Sequence, residues 1–264
     1  MRRSSMLWGW VIVLIGLVLL FNNLFPGFNV HLYLWPGLLI LLGIWFLLGP
    51  VWRRGKVEVE AVSIPLADIQ SAELRFQHGA GRMTLSAGNR PGVLLEGEFA
   101  GGVKVEQERD GSAAKLRLHS TLLGDGVILP SFAPEGGLMW NVGLTRDIPL
   151  QLRFETGACE TRLDLSDLAV TDVRLQTGAS STEMTLPAKA GLTHVKVVSG
   201  MAGVVINVPE GVAARIKVSS GMAGSNISNR FPMMGGTYSS ADYETAANKA
   251  EITIDTGMGS VEIK

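Results

Sequence analysis

The sequence predicts an all-β fold, a single-stranded β-solenoid of about 21-residue coils, preceded by a two-helix transmembrane hairpin. Three observations predict it. Gly79, Gly157, Gly178, Gly200, Gly221 and Gly257 sit in one local frame, with Phe76 and Leu74, Phe154 and Leu152, Leu175 and Val173, Val197 and Val195, Val218 and Ile216, and Ile254 and Ile252 three and five places before them. Six places after each glycine stand Leu85, Leu163, Met184, Ile206, Ile227 and Ile263, so the apolar alternation of a strand resumes beyond it. The glycines from 157 to 221 recur every 21 or 22 residues, a period at which one repeat cannot bury its own apolar face and a core forms only by stacking. Finally, composition changes near residue 56, where two long uncharged runs give way to alternating sequence.

The hairpin occupies residues 1–56. Leu7 to Phe25 and Tyr33 to Trp52 contain no charged residue, and each approaches the roughly 20 apolar residues that span a bilayer core. Pro26 and Gly27 lie in the short connection between these spans, placed at about 7–25 and 33–52. Arg2 and Arg3 before an apolar run would also suit a signal peptide, but no small-x-small cleavage site follows and a second run begins almost at once. Arg2 and Arg3 precede the first span, Arg53, Arg54 and Lys56 follow the second, and the connection holds only His31. The positive-inside rule then places both ends, and the β domain, on the cytoplasmic side of the cell membrane, with the lipid bilayer as the first partner. Trp8, Trp10, Trp35, Trp45 and Trp52 include several near span ends, where indoles favour the interface.

The N-terminal β region covers 57–150. Val57 to Ile64 leads in, Glu73 to Leu85 forms the first recognisable unit, and Val93 to Phe99 is an apolar run. Val103 to Glu108 and Lys115 to His119 read as a hairpin turning at Asp110-Gly111, a dipeptide suited to positive φ. Ser120 to Thr145 is less regular, rich in Gly and Pro yet carrying Phe132, Leu138, Met139 and Trp140, which predicts a loop packed over an open end of the solenoid, with a partner surface as the lesser alternative.

The repeat solenoid covers 151–264. Gly-x-Gly at 79–81 and 257–259 is read as a turn and not as a phosphate loop, because strands and not helices follow and because Gly adopts φ > 0 without steric cost. Pro187 and Pro209 close the second strands of two repeats. Between Gly221 and Gly257 the interval grows to 36 residues, leaving an insertion around Asn229 to Lys249. Its Phe231, Met233, Met234, Tyr238 and Tyr243 serve either as a flap over the core or as an adaptable binding surface.

No constellation for catalysis emerges, and no enzyme, cofactor or metal site is expected. His31, His78, His119 and His194 lack metal-ligand spacing, the lone Cys159 has no partner for a disulfide or thiol relay, and there is no G-x-S-x-G elbow. Polysaccharide-cleaving β-helices cluster carboxylates on one face. Here the positions seven after each glycine are Ser86, Asp164, Thr185, Asn207, Ser228 and Lys264, which make no acidic cluster. A net charge of −1 gives no reason to expect nucleic-acid binding.

One outward column stands out. Four residues before each glycine come Arg75, Arg153, Arg174, Lys196, Lys217 and Thr253. Stacked at the strand spacing of roughly 4.8 Å, these cations form either a solvated face that discourages sheet association or a surface for an acidic target, anionic headgroups or an acidic protein segment.

The hairpin segments GWVIVLIGLVLLFNN and LWPGLLILLGIWFLLGP resemble the transmembrane region of LiaI- and LiaF-like bacterial membrane proteins. Arg146 to Pro187, with the closing ITIDTGMGSVEIK, resembles the toastrack and LiaF C-terminal β-repeat domains and related adhesin-like domains. The resemblance implies a membrane-anchored, non-enzymatic regulator of cell-envelope stress signalling, in which LiaF-like proteins restrain a membrane histidine kinase. The competing expectation is a membrane-tethered scaffold that self-associates through its coil ends.

Overall fold

The computed structural model describes residues 59–121 and 138–264. The expected membrane hairpin and Phe132 lie outside the described residues. Among the described residues no helix is long and apolar enough to cross a membrane.

Among the described residues, thirteen strands form one sheet. In chain order they are β1 (Val59–Pro65), β2 (Ser71–Ala87), β3 (Val93–Ala100), β4 (Val103–Asp110), β5 (Ala113–Ser120), β6 (Met139–Leu144) and β7 (Leu150–Asp164). Then follow β8 (Val170–Thr185), β9 (Leu192–Asn207), β10 (Ala213–Ile227), β11 (Met233–Met234), β12 (Thr237–Ser239) and β13 (Lys249–Ile263). The six glycines of the repeat fall inside β2, β7, β8, β9, β10 and β13, which pair with one another in parallel and in register.

The expected strand, turn, strand unit is therefore one continuous strand. At its glycine the alternation changes phase: Phe154 and Thr156 are buried, Gly157 and Ala158 are both exposed, and Cys159 and Thr161 are buried again. Two successive outward residues carry the strand around a corner, giving two arms that enclose the core. The reason for glycine also differs from the expected one. Gly157, Gly178, Gly200, Gly221 and Gly257 keep φ outside the left-handed region, but each packs against the carbonyl oxygen of the glycine on the next coil. A Cβ on Gly178 would lie 3.2 Å from the Gly157 oxygen, and one on Gly221 2.9 Å from that of Gly257. At these five positions close approach of stacked backbones, not a positive φ, selects the residue, whereas Gly81 and Gly259, the second glycines of the two Gly-x-Gly pairs, do have the expected positive φ, 128° and 132°.

The inward column is continuous across the coils: Leu118, Phe76, Phe154, Leu175, Val197, Ile254 and Val218 are paired in succession. Its spatial order departs from chain order, because β13 inserts between β9 and β10. The long interval between Gly221 and Gly257 is the path that leaves β10, passes through β11 and β12, and returns to fill that gap. All members are buried except Val218, which is half-buried on the last coil. Phe76 and Phe154 stack with ring centroids 5.2 Å apart.

The N-terminal region joins the same sheet. The first arm of β2 is extended by β5 and then β4, and the second arm by β6, β3 and β1. The β4–β5 hairpin forms, but Asp110 pairs with Ala113, so its two-residue turn is Gly111-Ser112, one place later than the sequence predicts, with Gly111 at φ 61°. Residues 139–144, expected within an irregular loop, form β6 instead. Trp140 is fully buried there, edge-on to Phe99 at 5.1 Å, and Met139 is half-buried, so this segment does cover the first coil.

Candidate interaction surface

The basic column exists as a stacked row and is longer than the sequence frame gave: Arg117, Arg75, Arg153, Arg174, Lys196, Thr253 and Lys217 are successive register partners. Arg117 was missed because β5 ends at Ser120 without the glycine that defines the frame. The insertion of β13 sets Thr253 between Lys196 and Lys217. Acids two residues to either side face into the row. Arg153 Nε lies 2.6 Å from Glu73 Oε1, Arg75 Nε 3.5 Å from Glu155 Oε1, and Arg174 Nε 3.3 Å from Asp172 Oδ1. The face is thus a mixed-charge lattice at its N-terminal end, with Lys196 and Lys217 exposed at the other.

The insertion covers the core with some of its apolar side chains and leaves others exposed. Phe231 and Tyr243 are buried and Tyr238 half-buried, whereas Met233 and Met234 are exposed. Tyr243 is clasped onto the last coils: its hydroxyl donates to Glu251 Oε1 at 3.0 Å, and the Arg215 guanidinium lies 4.1 Å from its ring centroid. Burial and the neighbouring Glu251 carboxylate push the Tyr243 pKa up to about 12. Arg215 also pairs with Glu244, and Glu251 Oε2 is 3.2 Å from His194 Nδ1. Arg230 donates to the Val208 carbonyl at 3.0 Å, closing the start of the insertion against the return of the preceding coil.

A second apolar feature went unread in the sequence. Met201, Met258 and Met222 each follow a corner glycine and are register neighbours on β9, β13 and β10. They are 57%, 43% and 80% exposed. Among the described residues, five of the eight exposed large hydrophobic side chains are methionines, all on the C-terminal coils or the insertion: Met201, Met222, Met233, Met234 and Met258. The signal was present as Gly-Met in three of the six repeats.

Inside, the last inward position of the first arms is polar: His78, Thr156, Thr177, Ser199 and Thr256. Thr156 and Thr177 are linked at 3.0 Å and Ser199 and Thr256 at 2.9 Å. His78 has no well-formed hydrogen bond among the described residues and lies against Trp140, ring centroids 4.6 Å apart. Burial lowers its pKa to about 4, the Leu138 backbone opposing this only in part. Burial pushes the Cys159 thiol up, which keeps it protonated and unreactive. Among the described residues no group of three or more His, Cys, Asp and Glu side chains is arranged to hold a metal ion.

The sequence pattern of the N-terminal domain of toast_rack, DUF2154, matches residues 53–207, more than half of the chain. The chain belongs to the toast_rack family. The toast_rack match begins just before β1 and ends with β9, so β10 to β13 and the methionine-bearing end lie beyond it. A crystal structure described as that of a candidate cell adhesion protein from Clostridium sporogenes superposes with a TM-score of 0.72 at 20% identity, covering 79% of this chain and 99% of that one. This shows a shared fold. A candidate adhesin from Bacteroides fragilis is also matched, with a TM-score of 0.31 at 6% identity over 80% of this chain and 99% of that one. No curated protein matches the chain.

Proposed function

We propose that this toast_rack protein is a membrane-anchored, non-enzymatic regulator that acts by binding another protein, its rigid β stack presenting the methionine-bearing end to that partner. The observation that carries the reading is the concentration of exposed methionines at one end of the scaffold. Methionine is flexible and polarisable, so it packs against partner surfaces of differing shape, and a rigid stack lowers the ordering cost of binding. The uncharged runs before residue 56 supply the anchor and their basic flanks the cytoplasmic orientation. The likeness of the hairpin and repeats to LiaF-like proteins supports a cell-envelope stress role, with a membrane histidine kinase as partner. The basic column ranks second as a contact surface, because Glu73, Glu155 and Asp172 pair with its arginines.

A photo-crosslinking residue at Met234 of the full chain, irradiated in intact bacterial membranes, tests this when adducts are identified by mass spectrometry. A sensor kinase among the adducts supports the reading. Adducts of lipid alone refute it.

A further inference from the structure

The two extremities of the stack end differently. At the N-terminal extremity the outermost strands are β1 and β4. β1 carries Glu60 and Pro65, and β4 carries Lys104, Glu106, Glu108, Arg109 and Asp110. Charges and proline on an edge are what discourage a second sheet from pairing there.

At the other extremity β10 is outermost among the long strands, and only half of it is covered. Its first arm is paired by β12 at Arg215 and Ile216, with Ser240 bonded in both directions to Ala214 at 2.9 and 2.8 Å. Its second arm, Met222 to Ile227, pairs with β13 on one side and with no described strand on the other. This free edge contains neither charge nor proline. It also opens the interior: Ser225 is exposed, whereas Val261 and Val204, its successive partners in the same inward column, are each 1% exposed. Ile227 is left half-buried in the same way.

We propose that the free edge of β10 pairs antiparallel with the same edge of a second copy of the chain, about a two-fold axis at Ser225. The occupant follows from charge and symmetry. Head-to-tail growth would set this neutral edge against β1 or β4, whose charges would lose water without gaining partners. Against its own copy the edge meets no charge, and a two-fold contact closes after one step. Antiparallel pairing must keep inward residues opposite inward residues, so the axis passes through a residue and not between two. At Ser225 it sets that residue opposite its own copy, with Ile227 opposite position 223 and Gly224 opposite Asn226. The two interiors then continue into one another, and the backbone groups of the edge gain partners.

The test uses the full chain in its membranes and in mild detergent. Cα atoms paired across an antiparallel ladder fall in the 4.4–6.8 Å range that a disulfide bridges. Ser225→Cys should therefore form a covalent dimer under mild oxidation, while Lys104→Cys on β4 should not; the native Cys159 is buried and does not compete. Separately, Ser225→Lys sets two cations opposite each other and should weaken the dimer by more than about tenfold in sedimentation equilibrium. Strand content by circular dichroism shows whether each variant folds. A monomeric parent chain, an open-ended ladder of higher oligomers, or capture of a different protein at Cys-bearing position 225 would each overturn the proposal.

Discussion

Gly257 lies so close to Gly200 on the neighbouring coil that a Cβ added to it would stand 2.7 Å from the Gly200 carbonyl oxygen. The obstacle is backbone on both sides and cannot rotate away. Gly257→Ala should therefore part the coils at the corner and cost about 1–3 kcal/mol. Gly224, which has nothing within 4 Å of the same position and no left-handed φ, should accept Ala with little change. Urea midpoints of the two variants separate the cases.

Phe154→Ala should be the more damaging change. The ring is buried between β2 and β8, stacked on Phe76 at an interplanar angle of 11°, and a buried Phe reduced to Ala costs about 3–5 kcal/mol. Thermal unfolding of the full chain followed by circular dichroism should show a large fall in midpoint. Unchanged stability would mean that this column is not the core.

The inward column was legible because two periodicities coincide on it: alternation of two within a strand, and about 21 residues between coils. Coil order was not legible. A parallel strand in matching register fits against any other coil equally well, so nothing in ITIDTGMGSVEIK tells whether β13 follows β10 or slips in beside β9. The 36-residue interval before Gly257 hinted at a detour without giving its destination. β6 was hidden for a different reason: its partner β2 is far away in sequence, and Trp140 reads as a loop aromatic until His78 and Phe99 enclose it. The ion pairs of Arg75 and Arg153 also needed the stack, since Glu155 and Glu73 each belong to another coil from their arginine.

Acid should destabilise the protein through His78. In the unfolded chain its imidazole takes up a proton near pH 6.5, whereas in the folded chain burial lowers that pKa to about 4. Between these values the unfolded state binds more protons, so stability is full above about pH 6.5, falls as pH drops towards 4, and levels off below. The loss is on the order of 3 kcal/mol. His78→Phe, which keeps a ring against Trp140, should remove this part of the pH dependence. Urea titrations at pH 7 and pH 4.5 on both proteins check it, with the imidazole resonance of His78 giving its pKa directly.

Charge removal on the outer face should separate a solvated lattice from a binding surface. Replacing Arg153, Arg174 and Lys196 by Gln leaves Glu73 and Asp172 without their cations. The half-exposed pairs contribute little, so stability should fall by about 1 kcal/mol or less for each. Adsorption of the full chain's β unit to anionic vesicles, measured across ionic strength, should change little if Glu73, Glu155 and Asp172 already neutralise the row. A steep loss of binding with a flatter salt dependence would instead make the column a lipid contact.

Tyr243 should act as the clasp of the C-terminal insertion. Its ring is packed beneath Arg215 and its hydroxyl donates to Glu251, which belongs to the strand that slips between β9 and β10. Tyr243→Phe keeps the packing and removes one hydrogen bond to a charged acceptor, a loss of about 1.5–3 kcal/mol at most, reduced here by the partial exposure of Glu251. Tyr243→Ala removes the ring as well and should release residues 240–248 from the end of β10. Hydrogen exchange reads the difference: the phenylalanine variant should speed exchange at the Tyr243 amide, bonded at 3.3 Å to the Ser240 carbonyl, only slightly, and the alanine variant should expose that amide together with Ala214, whose N–H donates to Ser240. Equal protection in all three proteins would show that the insertion is held by Phe231 and the Arg230 carbonyl contacts instead.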